Sequence, residues 1–300
     1  MSQPWLTQSE RGSIIAIRLL VGAALLLGRR VTRLILYPIC LYFLVSGRGP
    51  RSASRKYLER VLGRRARFAD LFRHHLTFAA VALDRVYLLK DRVELFDSQV
   101  VGEEVLLEVT RGGQGCFLLG AHLGSFEILR AFGSAKHLRI GLVMYEENVR
   151  MVNTVARAIN PVLAEDVISL GRFDSMLKIA ERLQQSEWVG MLGDRALDEE
   201  AQLRVPFLGG NAAFPTAPFR LGLMLKRPIV LMIGLYLGGN RYEMHFERLF
   251  DPREALATSR AQALEHAVQL YAQRLEHYCR LAPYNWFNFY DFWNASRAPA

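Results

Sequence analysis

Apolar positions along this chain follow two rhythms. Short unbroken apolar runs, of the kind that form buried strands, alternate with longer stretches in which apolar residues recur every three or four positions, as on one face of a helix. The runs at Cys116–Leu119, Arg139–Tyr145, Val167–Leu170, Trp188–Leu192 and Pro228–Leu237 predict strands, and Glu94–Val101 a short further one. Tyr242–Phe246 follows the Gly238-Gly239-Asn240 turn and predicts the antiparallel partner of the preceding strand. Helical spacing covers Phe68–Leu89, Glu103–Thr110, Val149–Ile159, Ser175–Gln185, Pro215–Lys226 and Thr258–Leu281. A basic helix is predicted from Arg51, after a Gly49-Pro50 break. Strands alternating with helices predict an α/β fold, a mainly parallel sheet flanked by helices.

The first fifty residues depart from this alternation. Ile14–Val45 is mostly aliphatic but carries Arg18, Arg29, Arg30 and Arg33 between its apolar runs. A membrane-spanning helix needs about 20 apolar residues. Ser13–Leu27 contains Arg18, and Val31–Val45 is short and contains Pro38. The pattern therefore predicts a membrane-embedded or surface-lying helical hairpin, with arginine stems along apolar surface and heads reaching lipid phosphates. Charges on both sides of the apolar core, and no small-residue cleavage site before Arg29, argue against a cleaved signal peptide. The expected division is a membrane-associated helical segment at 1–50 and a catalytic domain at 51–300.

Charge sharpens this division. The 300 residues carry a net charge of +9, yet residues 1–67 hold thirteen Arg or Lys against two acids, and the remainder is close to neutral. An anionic partner should meet the N-terminal end. Interleaved aliphatic residues favour a membrane surface over nucleic acid. The three cysteines lie far apart in apolar settings, which offers neither a disulfide framework nor a metal pair. His74 and His75 are adjacent on a predicted helix and project about 100° apart, so they read as structural or surface residues, not as joint ligands. No metal site and no cofactor are expected. Gly112-Gly113-Gln114-Gly115 precedes a strand, the wrong context for dinucleotide binding, and there is no G-x-S-x-G elbow.

The chemistry concentrates in Gly115–Phe132. His122 follows the predicted strand's carboxyl end, where open α/β sheets place their ligand crevices. Ser125 is a plausible helix N-cap, and Glu127 falls in the first helical turn. A neutral imidazole can take a proton from a hydroxyl attacking a carbonyl, and a carboxylate that fixes its tautomer improves it. Glu127 is the expected carboxylate, and no enzyme nucleophile is needed if the substrate supplies the hydroxyl. Asp194 and Arg195 follow another strand end, where a guanidinium could stabilise an oxyanion or clamp a phosphate; an ion pair of Arg195 with Asp198 or Glu199 is the alternative. Phe207–Pro218 reads as a loop in which Phe207 and Phe214 offer apolar walls, with Arg220 on the helix that follows. The aromatic-dense tail Tyr284–Trp293 could cover the sheet edge or sit at a membrane interface.

HLGSFE after an apolar strand, GDR at 193–195 and FLGGNAAFPTAPFRLG at 207–222 together resemble the lysophospholipid acyltransferase superfamily, most closely its lipid A late acyltransferase branch. The family mark, His-x4-Asp/Glu, is met by His122 and Glu127. Leu123, Gly124 and Ser125 stand where the lipid A enzymes carry aromatics. With the tail, this looks more like a side branch of predicted acyltransferases associated with aryl-polyene or xanthomonadin-type pigment pathways. The resemblance implies a membrane-associated O-acyltransferase at the bacterial inner membrane, its catalytic domain facing the cytoplasm. The donor would be acyl carrier protein or coenzyme A thioester, and the acceptor a hydroxyl-bearing lipid. His122, Glu127 and Arg195 would be catalytic. Gly124, Ser125, Asp194, Phe207, Phe214, Pro215, Thr216 and Arg220 would bind substrate. A membrane-bound hydrolase and a non-catalytic lipid-binding protein are the competing readings. The sequence leaves oligomeric state open.

Overall fold

A computed structural model describes residues 14–113, 115–135, 140–145, 167–170, 174–195, 201–254 and 259–294, with side chains undescribed at 14–20, 110, 130–132, 134–135 and 145. Its helices are α1 (Ile14–Ser46), α2 (Arg48–Leu62), α3 (Phe68–Leu88), α4 (Glu103–Arg111), α5 (Phe126–Ala135), α6 (Ser175–Gln184), α7 (Ala217–Leu225) and α8 (Arg260–Leu281). The strands are β1 (Asp97–Val101), β2 (Phe117–Gly120), β3 (Ile140–Tyr145), β4 (Val167–Leu170), β5 (Trp188–Leu192), β6 (Gln202–Phe207), β7 (Gly210–Pro215), β8 (Ile229–Gly238) and β9 (Arg241–Phe250). The helix expected at Val149–Ile159 lies outside the described residues.

Among the described residues seven strands form one sheet in the order β1-β9-β8-β2-β5-β3-β4, in which β8 and β9 pair antiparallel and the other neighbours pair parallel. The mainly parallel sheet is thus as the alternation of runs predicts. Both faces are covered, and the side-chain period of two divides the central strands between two apolar layers. Phe117, Leu119, Leu231 and Ile233 face one layer with Tyr271, Leu275 and Trp286. Cys116, Leu118, Val230 and Met232 face the other with Ala80, Val81 and Leu129. Helix α8 begins in a capping box between Ser259 and Gln262. All three cysteines are free and buried.

Several elements differ from expectation. The apolar N-terminal stretch forms α1, which contains a non-helical break at Gly28 (φ 77°) and runs along α3, from Val21 against Val86 and Leu89 to Tyr37 beside Phe72. Among the described residues no helix is long and apolar enough to cross a membrane. Arg29 and Arg33 point inward, not toward lipid. Arg29 makes a two-pronged contact with the buried Asp84 (2.7 and 2.8 Å), and Arg33 bonds to Gly239 O and the Tyr236 hydroxyl. Gly49-Pro50 opens α2 instead of preceding it, since a proline in the first helical turn sacrifices no helical hydrogen bond.

The predicted loop at Phe207–Pro218 is largely a hairpin. β6 and β7 pair antiparallel across Leu208 and Gly209, both at positive φ, which suits the right-handed twist of a two-residue hairpin turn. Val205 and Phe207 pack inward with Ala212 and Phe214. The aromatic tail proves to be core: Trp286, Phe292 and Trp293 are buried against Phe207.

Candidate active site

β2 and β5 lie side by side in parallel register, Gly120 opposite Leu192, so their carboxyl ends open at one place. The chain leaving β2 delivers His122, and the chain leaving β5 delivers Asp194 and Arg195. The His122 Nδ1–H donates to Asp194 Oδ1 at 2.8 Å, and the His122 backbone N–H donates to Oδ2 at 3.0 Å. The Trp286 indole N–H also donates to Oδ2, at 2.9 Å. Asp194 is buried and accepts three hydrogen bonds, so its rotamer is held from both oxygens. Nε2 of His122 then carries the lone pair and has no hydrogen-bond partner among the described residues, while 30% of the side chain stays exposed.

The carboxylate that holds His122 is therefore Asp194, not Glu127. Glu127 pairs with Arg85 of α3 at 2.7 Å and reaches His122 only through its charge. Sequence spacing could place Glu127 on the neighbouring turn; only the packing of α3 against α5 supplies Arg85. The signal for Asp194 was present in the sequence as a carboxylate two residues past a neighbouring strand end, but which strands are neighbours is a matter of topology.

Electrostatics suit a base. Burial, then the Arg195 charge, push the His122 pKa below its usual 6.5, against the pull of Asp194 and Glu127. Burial alone would raise Asp194, but His122, Arg195 and Trp286 together bring it down to about 2. At neutral pH the pair is a neutral imidazole on an ionised carboxylate. Arg195 donates from Nη2 to the Phe287 carbonyl at 3.0 Å and lies 5.8 Å from the Tyr290 ring centroid. Residues 198 and 199, its alternative partners, lie outside the described residues.

The aromatic tail is the site's second wall. Phe287 N–H donates to the His122 carbonyl (2.7 Å), and Gly124 N–H donates to the Asn285 carbonyl (2.8 Å). The Asn285 amide bonds both backbone groups of Tyr236, Oδ1 from its N–H and Nδ2 to its carbonyl. His74, buried, donates Nε2–H to the Trp286 carbonyl (2.8 Å), which leaves Nδ1 to accept the Ser54 hydroxyl at 2.7 Å. Burial drops the His74 pKa to about 3, so it stays neutral as a structural strut, as adjacency to His75 suggests.

The residues expected to bind substrate take the following places in the fold. Gly124 sits at φ 67°, and a Cβ there would come within 1.9 Å of the Gly234 carbonyl oxygen. Ser125 is buried, and its hydroxyl accepts from the Ile128 N–H to cap α5. Phe207 and Phe214 pack edge-to-face with each other inside the core, against Trp286 and Tyr271. Pro215 closes the hairpin opposite Gln202, the Thr216 hydroxyl donates to the Ala201 carbonyl, and Arg220 is exposed on α7. Among the described residues no His, Cys, Asp and Glu cluster could hold a metal ion.

A family model described as bacterial lipid A biosynthesis acyltransferase matches residues 14–294. The chain belongs to that family. A search of curated proteins found no match. The match takes in His122, Asp194, Arg195 and the aromatic tail, so one family unit contains the whole site.

The protonation states imply a pH signature for this acyltransferase. If neutral His122 is the working form, kcat/KM should fall as pH drops through a single protonation centred below 6.5, while Asp194 stays ionised across that range. Arg195 holds the His122 pKa down, so Arg195→Gln should move the acid limb to higher pH. A pH–rate profile of both proteins checks this, and a limb that does not move would separate His122 from the rate.

Proposed function

We propose that this lipid-directed acyltransferase moves an acyl group from a thioester of acyl carrier protein or coenzyme A to a hydroxyl of a lipid or related amphiphile. The observation that carries the reading is the neutral His122 with Nε2 open, its Nδ1 held by a buried ionised Asp194, and Arg195 beside it. In the reaction, Nε2 removes the acceptor hydroxyl's proton as that oxygen attacks the thioester carbonyl. The C–O bond forms, the carbonyl oxygen becomes an oxyanion, and Arg195 stabilises it. Collapse breaks the C–S bond, and the departing thiolate takes the proton from the imidazolium. Asp194 balances the transient imidazolium charge, and the Glu127–Arg85 pair biases the same charge from further away. His122, Asp194 and Arg195 act directly, and no covalent enzyme intermediate is required.

The reading includes work at a membrane, at the cytoplasmic face of the bacterial inner membrane. α1 turns Leu26, Val31, Leu34, Tyr42 and Val45 to the outside, and Arg30, Arg48 and Arg55 are exposed nearby in the chain. Such a patch, rimmed by cations, suits an anionic lipid surface. An acidic carrier protein could use the same basic rim.

The test is incubation of the purified protein with radiolabelled acyl carrier protein thioester, or labelled acyl-coenzyme A, and extracted bacterial membrane lipids. A new labelled ester in the lipid fraction is expected, and its identity names the acceptor. Labelled free acid without ester would overturn transfer in favour of hydrolysis. Tight binding with no product would mark a carrier.

A further inference from the structure

Two buried asparagines flank Trp286 in the aromatic tail, and they are used differently. Asn285 bonds both backbone groups of Tyr236. Asn288 is 2% exposed, yet neither its Nδ2 nor its Oδ1 has a hydrogen-bond partner among the described residues. Burying an amide with both ends unpaired is unfavourable, and such groups are rare in native folds. The Arg195 Nε–H is buried and unpartnered as well.

Contacts along the tail alternate. Phe287 and Phe289 stack on the His74 ring, with centroids 6.4 and 4.8 Å away. Trp286 bonds Asp194, and Tyr290 carries the Arg195 guanidinium near its ring. The Asn288 N–H donates to the Trp286 carbonyl (2.9 Å), which turns the backbone at Phe287, and the residue lies in the chain between Trp286, which bonds Asp194, and Tyr290, which meets Arg195. The backbone agrees: Phe287, the preceding residue, receives Arg195 on its carbonyl and bonds the His122 carbonyl through its N–H.

We infer that Asn288, with the Arg195 Nε–H, forms a substrate subsite beside His122 that recognises a neutral group able both to donate and to accept a hydrogen bond. A hydroxyl near the reacting one on the acceptor has this character, and so does an amide of the thioester donor's pantetheine arm. The carboxamide offers its N–H donors and its acceptor oxygen to such a group, and these become satisfied only when substrate is bound. The inference rests on the acyl-transfer reading for its substrate, while its first readout does not need turnover.

Asn288→Leu removes the orphan amide and keeps similar bulk, so the substrate-free protein should melt at the same temperature as wild type or higher. Its kcat/KM should fall about 100-fold, the scale of one lost donor in a preorganised site. Asn288→Ala should also lose activity, and guards against misfit of leucine. Two probes locate the ligand group by thermal shift: a lysophospholipid for the acceptor and an acyl-coenzyme A thioether for the donor. A shift present in wild type and lost in Asn288→Leu is expected for one of them, and that probe names the source. A fall in melting temperature of both variants would mark Asn288 as structural and overturn the inference. So would equal responses of wild type and variants to both probes. Probe binding that depends on Asn288, in a protein that releases free acid instead of ester, would retire the transfer reading and leave the subsite standing.

Discussion

Asp194→Asn is expected to lower kcat by about 10⁴-fold, the scale seen when the orienting carboxylate of a Ser-His-Asp triad becomes an amide, while leaving the fold intact. The direction follows from the hydrogen bonds. Two N–H groups, the His122 backbone and the Trp286 indole, donate to Oδ2. The amide oxygen of an asparagine must occupy that position, which turns its NH₂ toward His122 Nδ1. Nδ1 must then accept, the proton moves to Nε2, and the base is lost. Glu127→Gln should cost much less, since Glu127 touches Arg85 and acts on His122 only through space. Steady-state rates of the two variants, with circular dichroism to verify folding, decide between the carboxylates. A large loss in Glu127→Gln beside an active Asp194→Asn would reverse the assignment made here.

The largest effect on stability is expected at the far end of α3. Asp84 is fully buried, pairs with Arg29 through both oxygens and accepts the Tyr242 hydroxyl at 2.9 Å. Burial pushes its pKa up even against Arg29, so desolvation outweighs pairing. Such a bridge adds little net stability over apolar packing, yet removing one partner strands the other. Asp84→Ala should therefore cost about 3–5 kcal/mol and lower the melting temperature by roughly 10 °C. The triple change Arg29→Met, Asp84→Leu, Tyr242→Phe should recover most of that loss, because no buried polar group is left unpaired. Calorimetry of the two proteins is the check. A triple variant as unstable as Asp84→Ala would mean that the bridge itself, not the stranded charge, holds α1 to the body.

The strands and most helices were readable because each rests on local chemistry. Pro228–Leu237 is too continuously apolar for anything but a buried element, and Ser259 with Gln262 marks the start of α8 within four residues. Where pattern failed, a distant partner decided. Phe207–Pro218 has the glycines and prolines of a loop, but Phe207 and Phe214 become strand residues because a buried aromatic cluster from the tail receives them. Arg29 and Arg33 read as lipid-facing because Asp84 and Tyr236 are 55 and 203 residues away.

By itself the sequence determined the α/β class, the place of His122 at a strand's carboxyl end and the presence of Asp194 and Arg195 at another, because these follow from periodicity and strand-exit chemistry within short windows. Only the tertiary structure decided that β2 and β5 are neighbours, that Asp194 and not Glu127 holds the imidazole, and that the tail closes the site. Those outcomes depend on strand order and on donors such as the Trp286 indole, 92 residues from Asp194, and no local pattern encodes contacts at that separation.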